Sequence, residues 1–237
     1  MLILCNKERE LLKKKVVIFA PHPDDETFYC GGTIAKKLRE GLDIIIVVMT
    51  DGRNLFRNVL KINSDPDPDK VKKMRRAEVL RATGIPGVPP RNIVFLDFED
   101  GMLGRYESEA EKMVTKILQN TYPVEVYIPF MRDSHPDHRV TNRIVRRCLK
   151  ELELKPSIYQ YCGLHKFARV GLLFERLISL FMRNLIKVDV SDFISIKEKM
   201  IKEYKSEISV ISSQQEKPLE NNIEKYLKEY ETFFLIK

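Results

Sequence analysis

No run of about 18 apolar residues occurs in the 237-residue chain, so no membrane-spanning helix is expected. Cysteine is scarce, with Cys5, Cys30, Cys148 and Cys162 only, and none sits in a C-x-x-C pair. That excludes a disulfide scaffold and a structural zinc pattern, and reduced thiols in a cytoplasmic protein are the economical reading. The opening Met1 to Leu4 turns charged by Lys7 and lacks the apolar stretch of a secretory signal. No internal repeat or low-complexity tract is visible, which excludes solenoids and collagen-like chains. What is present is ordinary for a globular protein: 43% apolar and 32% charged residues. A chain of this length buries a sizeable core, and the reading is one domain over 1–237, with a core over about 15–162 and a C-terminal elaboration over about 163–237.

The net charge is +7. The basic residues are spread over 13–15, 70–81, 139–150 and 197–205 and are interleaved with acids or set on helix faces. They read as solvated surface, with attraction to an anionic partner as the sharper alternative. Stretches that mix basic and aromatic residues in the manner of nucleic-acid readers are absent, so a nucleic-acid partner is not expected.

Short β-rich apolar runs occupy 16–20, 44–49, 92–96, 124–129 and 157–161. Their near-continuous apolarity predicts strands buried on both faces, as in parallel sheets. Helical patterns fill the gaps at 32–40, 70–82, 107–119 and 137–151. Strand–helix alternation of this kind predicts an α/β fold built from right-handed βαβ units. Further on, an almost wholly apolar helix is expected over 172–186, buried in the core or in a subunit interface of a homo-oligomer. Contact with a membrane surface, aided by Arg169, Arg176, Arg183 and Lys187, is the alternative. A strand over 187–190, a charged helix over 194–209, a loop over 214–222, a helix over 223–230 and a strand over 232–236 complete the expectation. Residues 53–69 read as a long polar loop.

Two of the strands run into clusters of His and Asp. Pro21-His22-Pro23-Asp24-Asp25-Glu26 follows the first, and Asp133-Ser134-His135-Pro136-Asp137-His138 the fourth. Ligands of open parallel sheets bind outside the carboxyl ends of the strands, where both clusters fall. His and carboxylate donors favour zinc, and a catalytic site takes about three protein ligands. His22 supplies one, one of Asp24 and Asp25 the second, and His135 or His138 the third. The neighbouring carboxylate is then free to hold the attacking water, whose pKa a metal lowers toward about 7. Cys30 reads as a small buried residue rather than a ligand. Gly31-Gly32 lacks the context of a phosphate loop and is expected to let the helix begin close to the metal rim.

These segments, with Thr50-Asp51-Gly52, Arg75-Arg76-Ala77-Glu78, Phe98-Glu99-Asp100-Gly101, Ser213-Gln214 and Glu231-Thr232-Phe233-Phe234, resemble those of the LmbE-like, or PIG-L, family of zinc-dependent N-deacetylases. The resemblance covers about 15–237. It implies a Rossmann-like three-layer fold with a mostly parallel sheet, and hydrolysis of the N-acetyl group of an N-acetylglucosamine-type sugar, free or linked to a lipid or nucleotide. By position it implies His22, Asp25 and His138 as zinc ligands and Asp24 as general base. It implies His135 as the group that stabilises the intermediate, with Asp137 orienting His135. Arg75 and Asp100 are expected to face the sugar. The prolines at 86, 89 and 90 depart from the family pattern and alter the wall behind Arg75. An amidase acting on another amide, such as a thiol–sugar conjugate, is the alternative within the same chemistry.

Overall fold

The computed structural model describes residues 14–162 and 184–236. Five strands alternate with helices: β1 Lys15–Ala20, α1 Asp25–Arg39, β2 Asp43–Thr50, α2 Leu55–Leu60, α3 Pro68–Gly84, β3 Ile93–Phe98, α4 Glu107–Thr121, β4 Glu125–Pro129, α5 Pro136–Glu151 and β5 Ser157–Tyr161. The C-terminal part adds β6 Leu185–Asp189, α6 Ile194–Lys202, α7 Lys205–Ile208 and β7 Tyr230–Ile236. The sheet order is β3-β2-β1-β4-β5-β7-β6. The first five are parallel, and β7 runs antiparallel between β5 and β6.

The period-2 geometry of strands sorts the apolar runs onto two faces. Val16, Ile18, Ile44 and Ile46 meet Phe28 and Ile34 of α1, Val79 of α3 and Met200 of α6. Val17, Phe19, Ile45 and Val47 meet Val114 of α4 and Ile144 of α5. The result is the expected α/β three-layer sandwich with strands buried on both sides. The strand order reverses between β1 and β4, which places a crevice where both His/Asp clusters emerge.

Several expectations change. Helix α1 begins at Asp25, within the first cluster itself, and not at residue 32. Gly31 and Gly32 therefore lie inside the helix, and their smallness serves packing: a Cβ on Gly32 would stand 2.7 Å from Val190 Cβ. The amides of Gly32 and Thr33 also donate to the buried Glu231 carboxylate at 2.9 and 2.8 Å, and Lys197 pairs with it at 2.6 Å. Gly32→Ala gains helix propensity but forces the overlap with Val190. We expect a net loss of about 1–3 kcal/mol in denaturant unfolding, and unchanged stability would show that the helix shifts at no cost.

The stretch expected to be a loop carries α2, whose Phe56 is 1% exposed and packs on Ile62 and Val71. The charged helix over 194–209 is divided into α6 and α7. The helix expected over 223–230 is a single 3-10 turn, Ile223–Tyr226, and β7 begins at Tyr230. Of the apolar segment over 172–186, residues 172–183 lie outside the described residues, as do Arg169, His165 and Cys5. Leu185 and Ile186 belong to β6. No helix among the described residues is long and apolar enough to cross a membrane.

Candidate active site

At the end of β1 the chain makes a tight corner. Asp24 adopts φ 138°, a conformation costly for a residue with a side chain, and Asp25 opens α1. The corner is held from both sides. The His22 amide donates to Asp25 Oδ2 at 3.0 Å, and the Asp24 amide donates to Glu26 Oε2 at 3.2 Å. Glu26 is fully buried and also accepts from Thr27 and Tyr204 hydroxyls. At the end of β4, Asp133 Oδ1 accepts the His135 amide at 2.9 Å. His135 caps α5 by accepting the Asp137 amide on Nδ1 at 3.2 Å, and this geometry leaves its proton on Nε2.

Three atoms from the two clusters converge. His22 Nδ1 lies 3.3 Å from His138 Nε2 and 3.4 Å from Asp25 Oδ2, and His138 Nε2 lies 3.3 Å from Asp25 Oδ2. Ligands at about 2.0–2.1 Å from a tetrahedral cation are separated by about 3.3–3.4 Å, so this triangle has the dimensions of a zinc-sized site. The second nitrogen of each ring faces carboxylates. His22 Nε2 lies 3.4 Å from Asp100 Oδ1 and 3.3 Å from Asp137 Oδ2, and His138 Nδ1 lies 3.3 Å from Asp133 Oδ2. A proton kept on that side leaves the inward nitrogen's lone pair for a metal. His22 with His135 and His138, and His22 with Asp100 and Asp137, are also close enough to share an ion. The first three-atom triangle is favoured because its outer partners leave the right lone pairs.

The electrostatics carry the same signature. Burial opposes the charge on His22, yet hydrogen bonds to Asp100, Asp137 and Asp25 hold its pKa well above the ordinary range. Burial likewise opposes His138, while Asp25 and Asp133 raise it to about 9. Asp25 stays well below the usual carboxylate range against its own burial, through His138 and His22. Such a surplus of carboxylate around two imidazoles is a field that a divalent cation neutralises. His135 differs: burial, then His22 and His138, bring it down to about 4. Burial pushes the Asp24 carboxyl up, and Arg75 opposes it.

A family model described as PIG-L, GlcNAc-PI de-N-acetylase, matches residues 17–149. The chain belongs to the PIG-L family. Diacetylchitobiose deacetylase from Thermococcus kodakarensis is 32% identical over 129 residues, which cover 53% of this chain and 45% of the relative. The match therefore spans less than half of that enzyme's length. Among solved structures, N,N'-diacetylchitobiose deacetylase from Pyrococcus horikoshii superposes with a TM-score of 0.67 at 23% identity, over 98% of this chain and 87% of that one. The 4-carboxy-2-hydroxymuconate hydratase of Pseudomonas putida reaches 0.68 at 16% identity, over 94% and 95%. These two likenesses show the fold, which evidently serves more than one chemistry.

Within this PIG-L fold, some expected residues occupy unexpected places. Asp100 is 5% exposed; it backs His22 and accepts the Asn54 amide on Oδ2 at 3.1 Å. The Asp137 carboxylate faces His22 and the amides of Gly101 and Leu103, at 2.7 and 3.2 Å, so only its backbone N–H orients His135. Arg75 is 2% exposed and reaches back to Asp24 Oδ2 at 2.7 Å and to the Pro23 carbonyl. Gly52, at φ 65°, makes room for it: a Cβ there would meet Pro23 and Arg75 at 2.9 and 3.0 Å. Cys30 is fully buried, and burial pushes its thiol up, which suits a packing role. Sequence reasoning missed Asp133 as the partner of His138, although it stands in the same D-S-H-P-D-H run. It also missed Glu26, Tyr204 and Glu207; the last two lie in a charged helical pattern with no local signal of a site.

Proposed function

We propose that the chain is a zinc-dependent hydrolase that removes the N-acetyl group from an N-acetylglucosamine-type sugar or conjugate. The observation that carries this reading is the His22–Asp25–His138 triangle, backed by carboxylates on both rings and flanked by Asp24, a carboxylate outside it. Family membership and the deacetylase names of the relatives support the reaction class. The donor set of two imidazoles and one carboxylate suits zinc among common cations. A cation held there supplies Lewis-acid activation of water and of the amide oxygen.

The residues of the chain do the rest. Asp24 accepts the proton of the attacking water, and Arg75 fixes the orientation of its carboxylate. His135 presents Nε2–H to the amide oxygen as charge develops there. The C–N bond breaks as the nitrogen takes the proton that Asp24 accepted from water, and acetate and the free amine leave. Asp137 and Asp100 hold His22 in the tautomer the site needs, and Asp133 does so for His138. A cytoplasmic setting fits Cys30 and Cys148, which are buried free thiols.

The test is acetate release from a panel running from free N-acetylglucosamine through its short oligomers to lipid- and nucleotide-linked forms. We expect release from at least one member with zinc present, loss on chelation, and recovery on adding zinc back. Metal-loaded protein that releases acetate from none would sink this reading and leave an amidase of different substrate.

A further inference from the structure

Residues 204–207 run from the α6–α7 junction into α7, and three of these four side chains reach the elements that carry the site. Tyr204 is fully buried and donates its hydroxyl to Glu26, which in turn accepts the Asp24 amide at 3.2 Å. Ser206 donates its amide and hydroxyl to Glu78 at 2.9 and 2.6 Å, one helical turn beyond Arg75 on α3. Glu207 Oε1 lies 3.1 Å from Arg75 Nη2, the same nitrogen that meets Asp24 at 2.7 Å. Glu207 thus stands beside the Asp24 carboxylate on the same guanidinium nitrogen. All three residues lie beyond the segment matched by the family model.

We propose that Glu207 is a positioning residue of the active site, which locks Arg75 and aims the Asp24 carboxylate from the C-terminal part of the chain. The inference rests on the proposed function in that Asp24 is taken as the base. Arg75 Nε makes no hydrogen bond, so the contacts at Nη2 carry the anchoring of the guanidinium. Without Glu207 one of those contacts is lost. The groups facing Glu207 are Asp24, Arg75, Glu78 and Tyr226. Burial pushes the Glu207 carboxyl well up, Arg75 opposes, and Asp24 and Glu78 add to the rise. A glutamine keeps an oxygen for the Arg75 Nη2 contact and fills the same space beside Asp24.

The experiment compares E207A and E207Q for kcat, KM, bound zinc and melting temperature, with crystal structures of both. We expect E207A to lose about 10- to 100-fold in kcat, the scale of an ångström of misplacement, with zinc content unchanged. KM should stay within about threefold, and E207Q should keep kcat within about threefold of the parent. E207M fills the same space without a hydrogen bond and takes the place of E207A should that variant not fold. Parent-like kcat in E207A or E207M, or equal damage in E207Q and E207A, overturns the proposal. Should the parent release acetate from no substrate, the proposed function fails by itself. The structures then decide for Glu207: Arg75 and Asp24 displaced in E207A but retained in E207Q supports it, and both unmoved in E207A overturns it.

Discussion

Asp24→Asn is expected to lower the turnover of acetate release by about 10²–10⁴-fold, the usual span for removing a general base, while the protein keeps its zinc. The separation of the two effects follows from geometry. Asp24 does not belong to the three-atom triangle; its Oδ2 points to Arg75 Nη2 at 2.7 Å. Asparagine retains an oxygen for that contact but cannot take a proton from water. The backbone argues the same way. Asparagine has nearly the shape of aspartate and adds no new strain at φ 138°, so the variant should fold and melt like the parent. Steady-state kinetics, zinc content and a melting curve on one preparation check all three. Turnover within about threefold of the parent would mean that another group accepts the proton. Loss of zinc would mean that Asp24 belongs to the ligand set.

The two His/Asp clusters were legible because each is local. Pro21 to Glu26 spans the β1–α1 corner and Asp133 to His138 the β4–α5 corner, and the apolar runs before them announce parallel strands whose carboxyl ends share one rim. The resemblance then distinguished Asp25 from Asp24 and His138 from His135, which residue types alone left open. What escaped was long-range. The protein partners of Asp100 and Arg75 were not readable, because sequence order says nothing of which way a side chain turns. Their burial follows from partners on other elements: His22 and Asn54 for Asp100, and Asp24 and Glu207 for Arg75. Tyr204 and Glu207 meet residues more than 130 positions away, and the charged pattern around them is that of any solvated helix. Gly32 misled for a related reason. A glycine pair near a cluster suggests a helix start, whereas the packing of Val190 against α1 is what requires it. Short elements also escaped, since the six residues of α2 are too few for a periodic signal.

His138→Ala is expected to abolish both zinc retention and turnover, a larger loss than that of Asp24→Asn. His138 supplies one corner of the triangle, and its removal leaves His22 Nδ1 and Asp25 Oδ2, 3.4 Å apart, as a two-point site. Proton competition sharpens the comparison. Without metal, His138 holds its proton up to about 9, because Asp25 and Asp133 outweigh its burial. Zinc must displace that proton, so the apparent affinity of the parent rises with pH toward about 9, and protons appear in solution on binding. In His138→Ala this contribution to the pH slope is gone. Asp133→Asn separates ligand from support: losing a carboxylate behind a ligating imidazole costs about 10–100-fold in metal affinity, yet saturating zinc restores turnover. Zinc titration monitored by metal analysis and by proton release, across pH 6 to 9 or about that span, distinguishes the cases. A His138→Ala protein that binds zinc like the parent would remove this residue from the ligand set. The third donor would then have to come from His135, whose ring centroid stands 4.5 Å from that of His22.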